Sequence, residues 1–232
     1  MTRTPKLAKR PRAHVGLTIV LASVVIIVSA WSNGSVFHTT LQAQSPTVVL
    51  PLHVHLTPGT DTVPSWIEER VERANLIFQP HRIRFAISGS EPLDAVHADL
   101  PDRTARDALE RYLRAQRINI FVVDRLADVD IAGRDIRGVH WRYRAERSRH
   151  YIILSRLGGA GVLAHELGHF LGNPRHSQEE GNVMSYSWGT STPIFSPSQA
   201  RRMSAYIRQS LERGELISSP LRTSPHSGIL AR

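Results

Sequence analysis

The stretch Val162-Leu-Ala-His165-Glu166-Leu-Gly-His169-Phe-Leu-Gly172 decides how this sequence is read. Leu163, Leu167, Phe170 and Leu171 recur at spacings that put them on the core side of one helix, while His165 and His169 fall together on another face. Four residues apart, two imidazoles stand one helical turn from each other and can share one ion at the ~2.0–2.1 Å Zn–N distance that zinc requires. Glu166 is turned about 100° from His165, beside the ion rather than on it. That placement suits a carboxylate that takes a proton from the metal's water as it attacks a carbonyl and hands the proton to a departing amine. Gly172 comes three residues after the second histidine, where a helix that stops and turns sharply needs a residue tolerant of positive φ. The pattern is short, and taken alone it also occurs on ordinary amphipathic helices.

Downstream the chain reads Asn182-Val183-Met184-Ser185-Tyr186. With this segment added, the sequence resembles the metzincins, zinc peptidases whose extended pattern HExxHxxGxxH is followed by a turn carrying a methionine beneath the metal. The resemblance implies zinc held by His165, His169 and a third histidine, Glu166 as general base, and Met184 packed under the ligands without binding the ion. It departs from the family at one point: the third-ligand position holds Arg175, and the histidine is His176. A bulge at Asn173-Pro174-Arg175 would return His176 to the metal; otherwise Glu179 or Glu180 could supply an oxygen. Tyr186 is read in two ways, as a group near the metal or the developing oxyanion, or as a cap on the turn. The spacing from histidines to methionine looks closest to matrixin-like or pappalysin-like bacterial members. In such enzymes the substrate lies along an edge strand above the zinc helix, and Gly138, Val139, His140 and Trp141, in the run Gly138 to Arg142, are the candidate here, binding a protein or peptide by strand addition.

Outward from the motif, the elements alternate. Val48 to Leu56 alternates with Leu50, Leu52, Val54 and Leu56 on one face; His53 and His55 on the other could be a metal pair but, with no third ligand near them in sequence, are expected to face solvent. Pro64 opens a helix with Ile67, Val71, Ala74 and Phe78 inward, ended by Pro80. Ile83, Phe85 and Ile87 mark a second strand, residues 88 to 102 a loop, and Arg103 to Gln116 a helix with Ala108, Leu109, Tyr112 and Leu113 inward. The apolar runs Ile118 to Val123 and Tyr151 to Leu154 are buried strands. Ser196, Pro197 and Gln199 cap a final helix with Met203, Ile207 and Leu211 inward. The pattern predicts an α/β (α+β) zincin-like domain: a mixed, twisted sheet with flanking helices.

Composition bounds the rest. The 232 residues are enough for one sizeable core. The net charge of +9 is largely local: Arg3, Lys6, Lys9, Arg10 and Arg12 open the chain, and the other 24 of 29 basic residues face 20 acidic ones without forming a stripe. This argues against a nucleic-acid partner. The basic opening precedes an apolar run from Val15 to Trp31, the order used by export signals, with Val28-Ser29-Ala30 or Leu41-Gln42-Ala43 as a cleavage site; left uncleaved, the run would be a membrane anchor. The expected organisation is therefore a signal or anchor over 1–31, a linker over 32–46, the catalytic domain over 47–213, and a tail over 214–232 whose residues from Ser218 on lack periodicity. The chain contains no cysteine, so stability in an oxidising compartment rests on the core and a bound metal. The expected activity is that of an exported zinc endopeptidase. The competing readings are a zinc amide hydrolase acting on cell-wall material and a silent binding module on the same fold; the sequence leaves the oligomeric state open.

Overall fold

The computed structural model describes residues 46–58, 63–189 and 191–218. The expected export segment, nearly all of the linker and the tail beyond 218 lie outside the described residues. Along the chain run β1 (Val48–Leu56), α1 (Val63–Phe78), β2 (Ile83–Pro92), β3 (Asp99–Leu100), α2 (Arg103–Asp107), β4 (Ile118–Val123), β5 (Arg125–Leu126), β6 (Gly138–Arg142), β7 (His150–Ser155), α3 (Val162–Phe170) and α4 (Pro197–Glu212). The main sheet has the order β2-β1-β4-β7-β6. Its strands are parallel except β6, which runs antiparallel to β7 and closes one edge. Among the described residues no helix is long and apolar enough to cross a membrane.

Parallel strands joined by crossovers are covered on both faces, which is why the apolar run of β4 is buried at every position. One face packs Leu50, Leu52, Val54, Ile120 and Ile152 against α1, α3 and α4. The other packs Phe121, Ile153 and Trp141 against Leu93, Leu100 and Leu109 of the segment that precedes β4. This second layer corrects the reading of β1: His53 and His55 are 7% and 1% exposed, so their face is not the solvent side. Alternation in β1 reports two chemically different faces, but both are inside.

The same segment differs from the sequence expectation in two further ways. β2 continues to Pro92, and the expected loop holds the short strand β3, paired in parallel with β5. The helix expected over Arg103 to Gln116 is α-helical only to Asp107, then tightens to a 3-10 turn through Tyr112. The cause lies beyond it: the Asn119 amide takes the Arg114 N–H at 2.8 Å and donates to the Arg114 and Arg117 carbonyls, and Gln116 sits at φ 62. These bonds give the Arg114 backbone partners that a continuing helix would otherwise supply. After α4, Gly214 turns the chain at φ 68 and Leu216 is 3% exposed, so residues 214–218 pack onto the domain. At the start of α4, Ser196 and Gln199 form the anticipated capping box.

A buried polar chain ties the edge of the sheet to α4. The His140 Nε2 and His150 Nδ1 atoms are 2.7 Å apart across β6 and β7, and the Tyr206 hydroxyl meets His150 Nε2 at 2.8 Å. One proton per ring satisfies all of these contacts, and burial drives both imidazoles well below their ordinary value. Both rings are thus neutral in the folded protein while they charge near 6.5 when unfolded, so the unfolded chain binds more protons below that pH. Stability is therefore expected to be full above about pH 6.5 and to fall as the pH drops from there toward the folded-state values. Thermal melts between pH 7.5 and 4 check this, and His150→Gln is expected to flatten the slope relative to the unaltered protein.

Candidate metal centre

The loop before α3 is fixed from α1. Arg70 donates to the Gly158 carbonyl at 2.7 Å and to Trp66 O at 2.9 Å, with its guanidinium 3.6 Å from the Trp66 ring centre. From that anchored start, α3 projects His165 and His169 from one face, their ring centres 4.8 Å apart. The helix ends as its glycine requires. Gly172 adopts φ 97, its N–H bonds His169 O at 3.2 Å, and the Asn173 N–H bonds Gly168 O at 3.0 Å, the paired closure of a Schellman turn. This turn aims the Asn173 carbonyl back at the helix, where it accepts from His169 Nδ1 at 2.7 Å. His165 Nδ1 donates likewise to the Val183 carbonyl at 2.8 Å.

Those two bonds settle the chemistry of the rings. A carbonyl only accepts, so each Nδ1 carries the proton and each Nε2 presents a lone pair. His176, one position later in the chain than the family pattern has it, lies in the same cluster: its Nε2 is 3.2 Å from that of His169, and one ligand atom from each of the three residues lies within 4.8 Å of the others. Two nitrogens on a tetrahedral zinc stand about 3.3 Å apart. The closure of Ser177 N onto Met184 O, at 2.9 Å, holds the loop that carries His176. Neither Glu179 nor Glu180 belongs to the cluster. The Tyr186 hydroxyl is 3.3 Å from His176 Nδ1 and its ring is tilted over that imidazole, while the residue is 83% exposed. Two imidazoles with fixed lone pairs and a third within reach of them are a donor set that fits zinc.

Burial keeps these rings uncharged. Desolvation lowers the pKa of His165 and His176, and that of His169 to about 4, with His165 adding to the shift of His169. Glu166 lies alongside, 6% exposed, and burial pushes its carboxyl up to about 8, offset in part by a hydrogen bond from the His140 main-chain N–H. That bond joins the carboxyl to the edge strand. Gly138 makes the approach possible: a Cβ there would stand 2.6 Å from Val162 Cγ2 and 3.2 Å from Glu166 Cγ. Of the four edge-strand residues, Gly138, Val139 and His140 are partly exposed and Trp141 is buried at 8%, its Nε1 donating to Asp107 at 2.7 Å. A cleft of about 1230 Å³ runs between this strand and α3, reaching His165, His169, His176 and Tyr186.

Met184 is fully buried with its sulfur against α3, 2.4 Å from where a Cβ on Gly168 would stand. Its turn is held by Asn182, whose Oδ1 accepts the Met184 N–H at 2.9 Å and whose amide pairs reciprocally with Gln199 at 3.1 and 3.0 Å. Sequence reasoning did not single out Gly168, Trp188, Asn182 or Arg70. Trp188 packs where a Gly161 side chain would be, and its Nε1 donates to Ser185 O and to the same Val183 carbonyl that receives His165. A glycine inside an otherwise apolar helix was the one signal that could have flagged Gly168.

No protein-family model matches the chain, and no curated protein matches it. Solved structures do. Metalloproteinase-II from Bacteroides fragilis is similar with a TM-score of 0.50 and 14% identity, over 70% of this chain and 54% of that one. Archaemetzincin from Methanopyrus kandleri is similar with a TM-score of 0.46 and 16% identity, over 68% of this chain and 96% of that one. The fold is one that a metalloproteinase has. At such identity the likeness is one of fold, and this chain spans about half the length of the Bacteroides protein.

The close approach at Gly168 gives a direct test of the packing. Gly168→Ala is expected to cost about 1–3 kcal/mol of stability, the usual penalty for overpacking, measured by urea denaturation. The loss is expected to shrink in a Met184→Ala background, where the obstructing sulfur is gone.

Proposed function

We propose that the chain is an exported zinc-dependent metalloendopeptidase, with His165, His169 and His176 holding the metal and Glu166 moving the proton. One observation carries the reading: three imidazoles, two of them with lone pairs fixed by backbone carbonyls, cluster beside a buried carboxyl, in a cleft open along the edge of a sheet. Fold likeness to a metalloproteinase agrees with it, and among the branches the spacing from the histidines to Met184 favours a matrixin-like or pappalysin-like member. Export follows from the basic and apolar opening of the chain, either with release after cleavage or with retention as an anchor.

Bound zinc would supply Lewis acidity toward a water and the scissile carbonyl. The chain's own residues do the remainder. Val183 O and Asn173 O fix the tautomers of His165 and His169. Burial raises the Glu166 carboxyl to about 8 without the metal, and the charge of a bound divalent ion beside it would favour the carboxylate that accepts a proton from water. The His140 N–H holds that carboxyl at the edge strand, where a peptide chain added to β6 would present its carbonyl. In this reading Tyr186, whose hydroxyl is 3.3 Å from His176 Nδ1, donates to a developing oxyanion.

Glu166→Gln is expected to lower peptide hydrolysis by at least about 10²-fold while leaving bound zinc unchanged, measured by peptide turnover beside metal analysis. His176→Ala is expected to lower zinc content sharply; retention of zinc would remove that residue from the ligand set. A panel of denatured proteins and cell-wall fragments separates the peptidase from an amide hydrolase, and turnover of neither by the zinc-loaded protein would favour a binding module.

A further inference from the structure

A second cluster of metal-binding side chains lies on the opposite face of the sheet. His53 and His55 project from the same side of β1, and Glu91 joins them from β2. One ligand atom from each residue lies within 4.8 Å of the others, and His53 Nε2 is 3.4 Å from Glu91 Oε1, the spacing of two ligands on one zinc. We propose that His53, His55 and Glu91 form a second divalent-metal site, of the zinc class, separate from the site on α3.

The local backbone is arranged to create this cluster. Between Leu52 and His53 the β1–β2 register slips: Leu52 pairs with Ile87, but His53 pairs with Gly89. The extra residue, Ser88, is pinned by its hydroxyl to Leu52 O at 2.9 Å. Side chains alternate between faces with period two, so one inserted residue moves every later side chain of β2 to the other face. Without the bulge, Glu91 would pair with Leu56 and point away from the histidines; with it, Glu91 is the partner of His55. Gly89 completes the arrangement, because a Cβ there would stand 3.0 Å from the His53 ring.

The donor atoms are in the states that a metal needs. The Asn119 amide is oriented by its own bonds, Nδ2 donating to the Arg114 and Arg117 carbonyls and Oδ1 accepting the Arg114 N–H. Its Oδ1 faces His55 Nε2 at 3.3 Å, so that nitrogen carries the proton and Nδ1 keeps the lone pair. Phe121 stacks on the ring at 4.4 Å and holds its plane. His53 is 7% exposed, and its Nε2 is buried with no hydrogen bond, the contact with Glu91 falling short of one. A buried polar atom without a partner is costly, and a coordinated ion is one thing that would satisfy it. Burial lowers both imidazoles, that of His55 to about 4, while the bond from Arg114 lowers the Glu91 carboxyl.

Two guanidinium groups face the cluster. Arg114 is bound to both oxygens of the Glu91 carboxylate, its Nε donating to Oε1 at 3.0 Å and to Oε2 at 3.1 Å and its Nη2 to Oε2, and Arg117 donates to Ser88 Oγ at 2.7 Å. Their charge weakens cation binding, so this site is the weaker of the two. Two imidazoles with one carboxylate favour zinc and its neighbours over calcium or magnesium, which prefer all-oxygen sets.

The full chain, stripped with chelator and dialysed against buffered zinc, is expected to bind two equivalents, the second more weakly. His165→Ala with His169→Ala is expected to keep one, and Glu91→Gln or His53→Gln to lose the weaker one and keep the tighter. Circular dichroism identifies any variant that fails to fold; in that event the two-equivalent stoichiometry of the unaltered chain and the remaining folded variants decide. Saturation of the unaltered chain at one equivalent that His165→Ala with His169→Ala removes overturns the proposal. So does a second equivalent that survives both Glu91→Gln and His53→Gln, since the ion then lies elsewhere.

Discussion

Two main-chain carbonyls, Val183 O and Asn173 O, accept the Nδ1 protons of His165 and His169, and the candidate centre depends on these bonds. An unrestrained imidazole exchanges tautomers and rotates; a ring whose outer nitrogen is held presents the inner lone pair in one direction. Neither carbonyl belongs to α3. Asn173 O is positioned by the Schellman closure at Gly172, and Val183 O by a turn that Asn182 and Gln199 clamp to the start of α4. The helix sets the spacing of the two histidines, while the loops after it set their chemistry. The Met184 turn therefore does more than fill space beneath the helix: the same peptide segment orients His165.

The sheet supplies the second requirement, a low-dielectric wall for Glu166. β6 is the antiparallel edge of an otherwise parallel sheet, and its Gly138 lets the strand come close enough to α3 for the His140 N–H to reach the carboxyl. Behind that edge, His140, His150 and Tyr206 join β6, β7 and α4 through neutral hydrogen bonds. A charged group in that position would set a competing field near the carboxyl, whereas a neutral chain gives rigidity without one. The edge is thus firm where it faces α3 and open where a partner strand would lie.

Local periodicity revealed the parts of this arrangement that local periodicity builds. The pair at i and i+4, the carboxyl beside it, the glycine that ends α3 and the capping box of α4 are all settled within one or two turns of chain. His176 was legible as a candidate third ligand but not as a position, because its loop is closed by a bond from Ser177 N to Met184 O. The failures share a cause. The length of α2 was misjudged because Asn119, on the next strand, takes over the Arg114 backbone. The burial of His53 and His55 was missed because the segment that covers them comes from residues 93 to 117, far along the chain. Gly168 and Trp188 matter through contacts with residues more than ten positions away, which no window of sequence shows.

The two histidine clusters show how one sheet treats buried imidazoles in two ways. On the α3 face, His165 and His169 each have a backbone partner for Nδ1, and the free nitrogens turn toward a cleft where a ligand can reach them. On the far face, His55 is satisfied by Asn119, while His53 Nε2 is enclosed with only a 3.4 Å contact to a carboxylate brought there by a one-residue bulge. A strand that only needed to fill its second face would be served by apolar residues at both positions, as β4 and β7 are with Phe121 and Ile153. Apolar residues there would avoid the desolvation of two imidazoles, and the bulge would then have no cluster to complete. The bulge, the glycine that makes room for a ring and the oriented amide all act on the same three side chains. Packing alone does not account for that convergence, and the second metal site proposed above would.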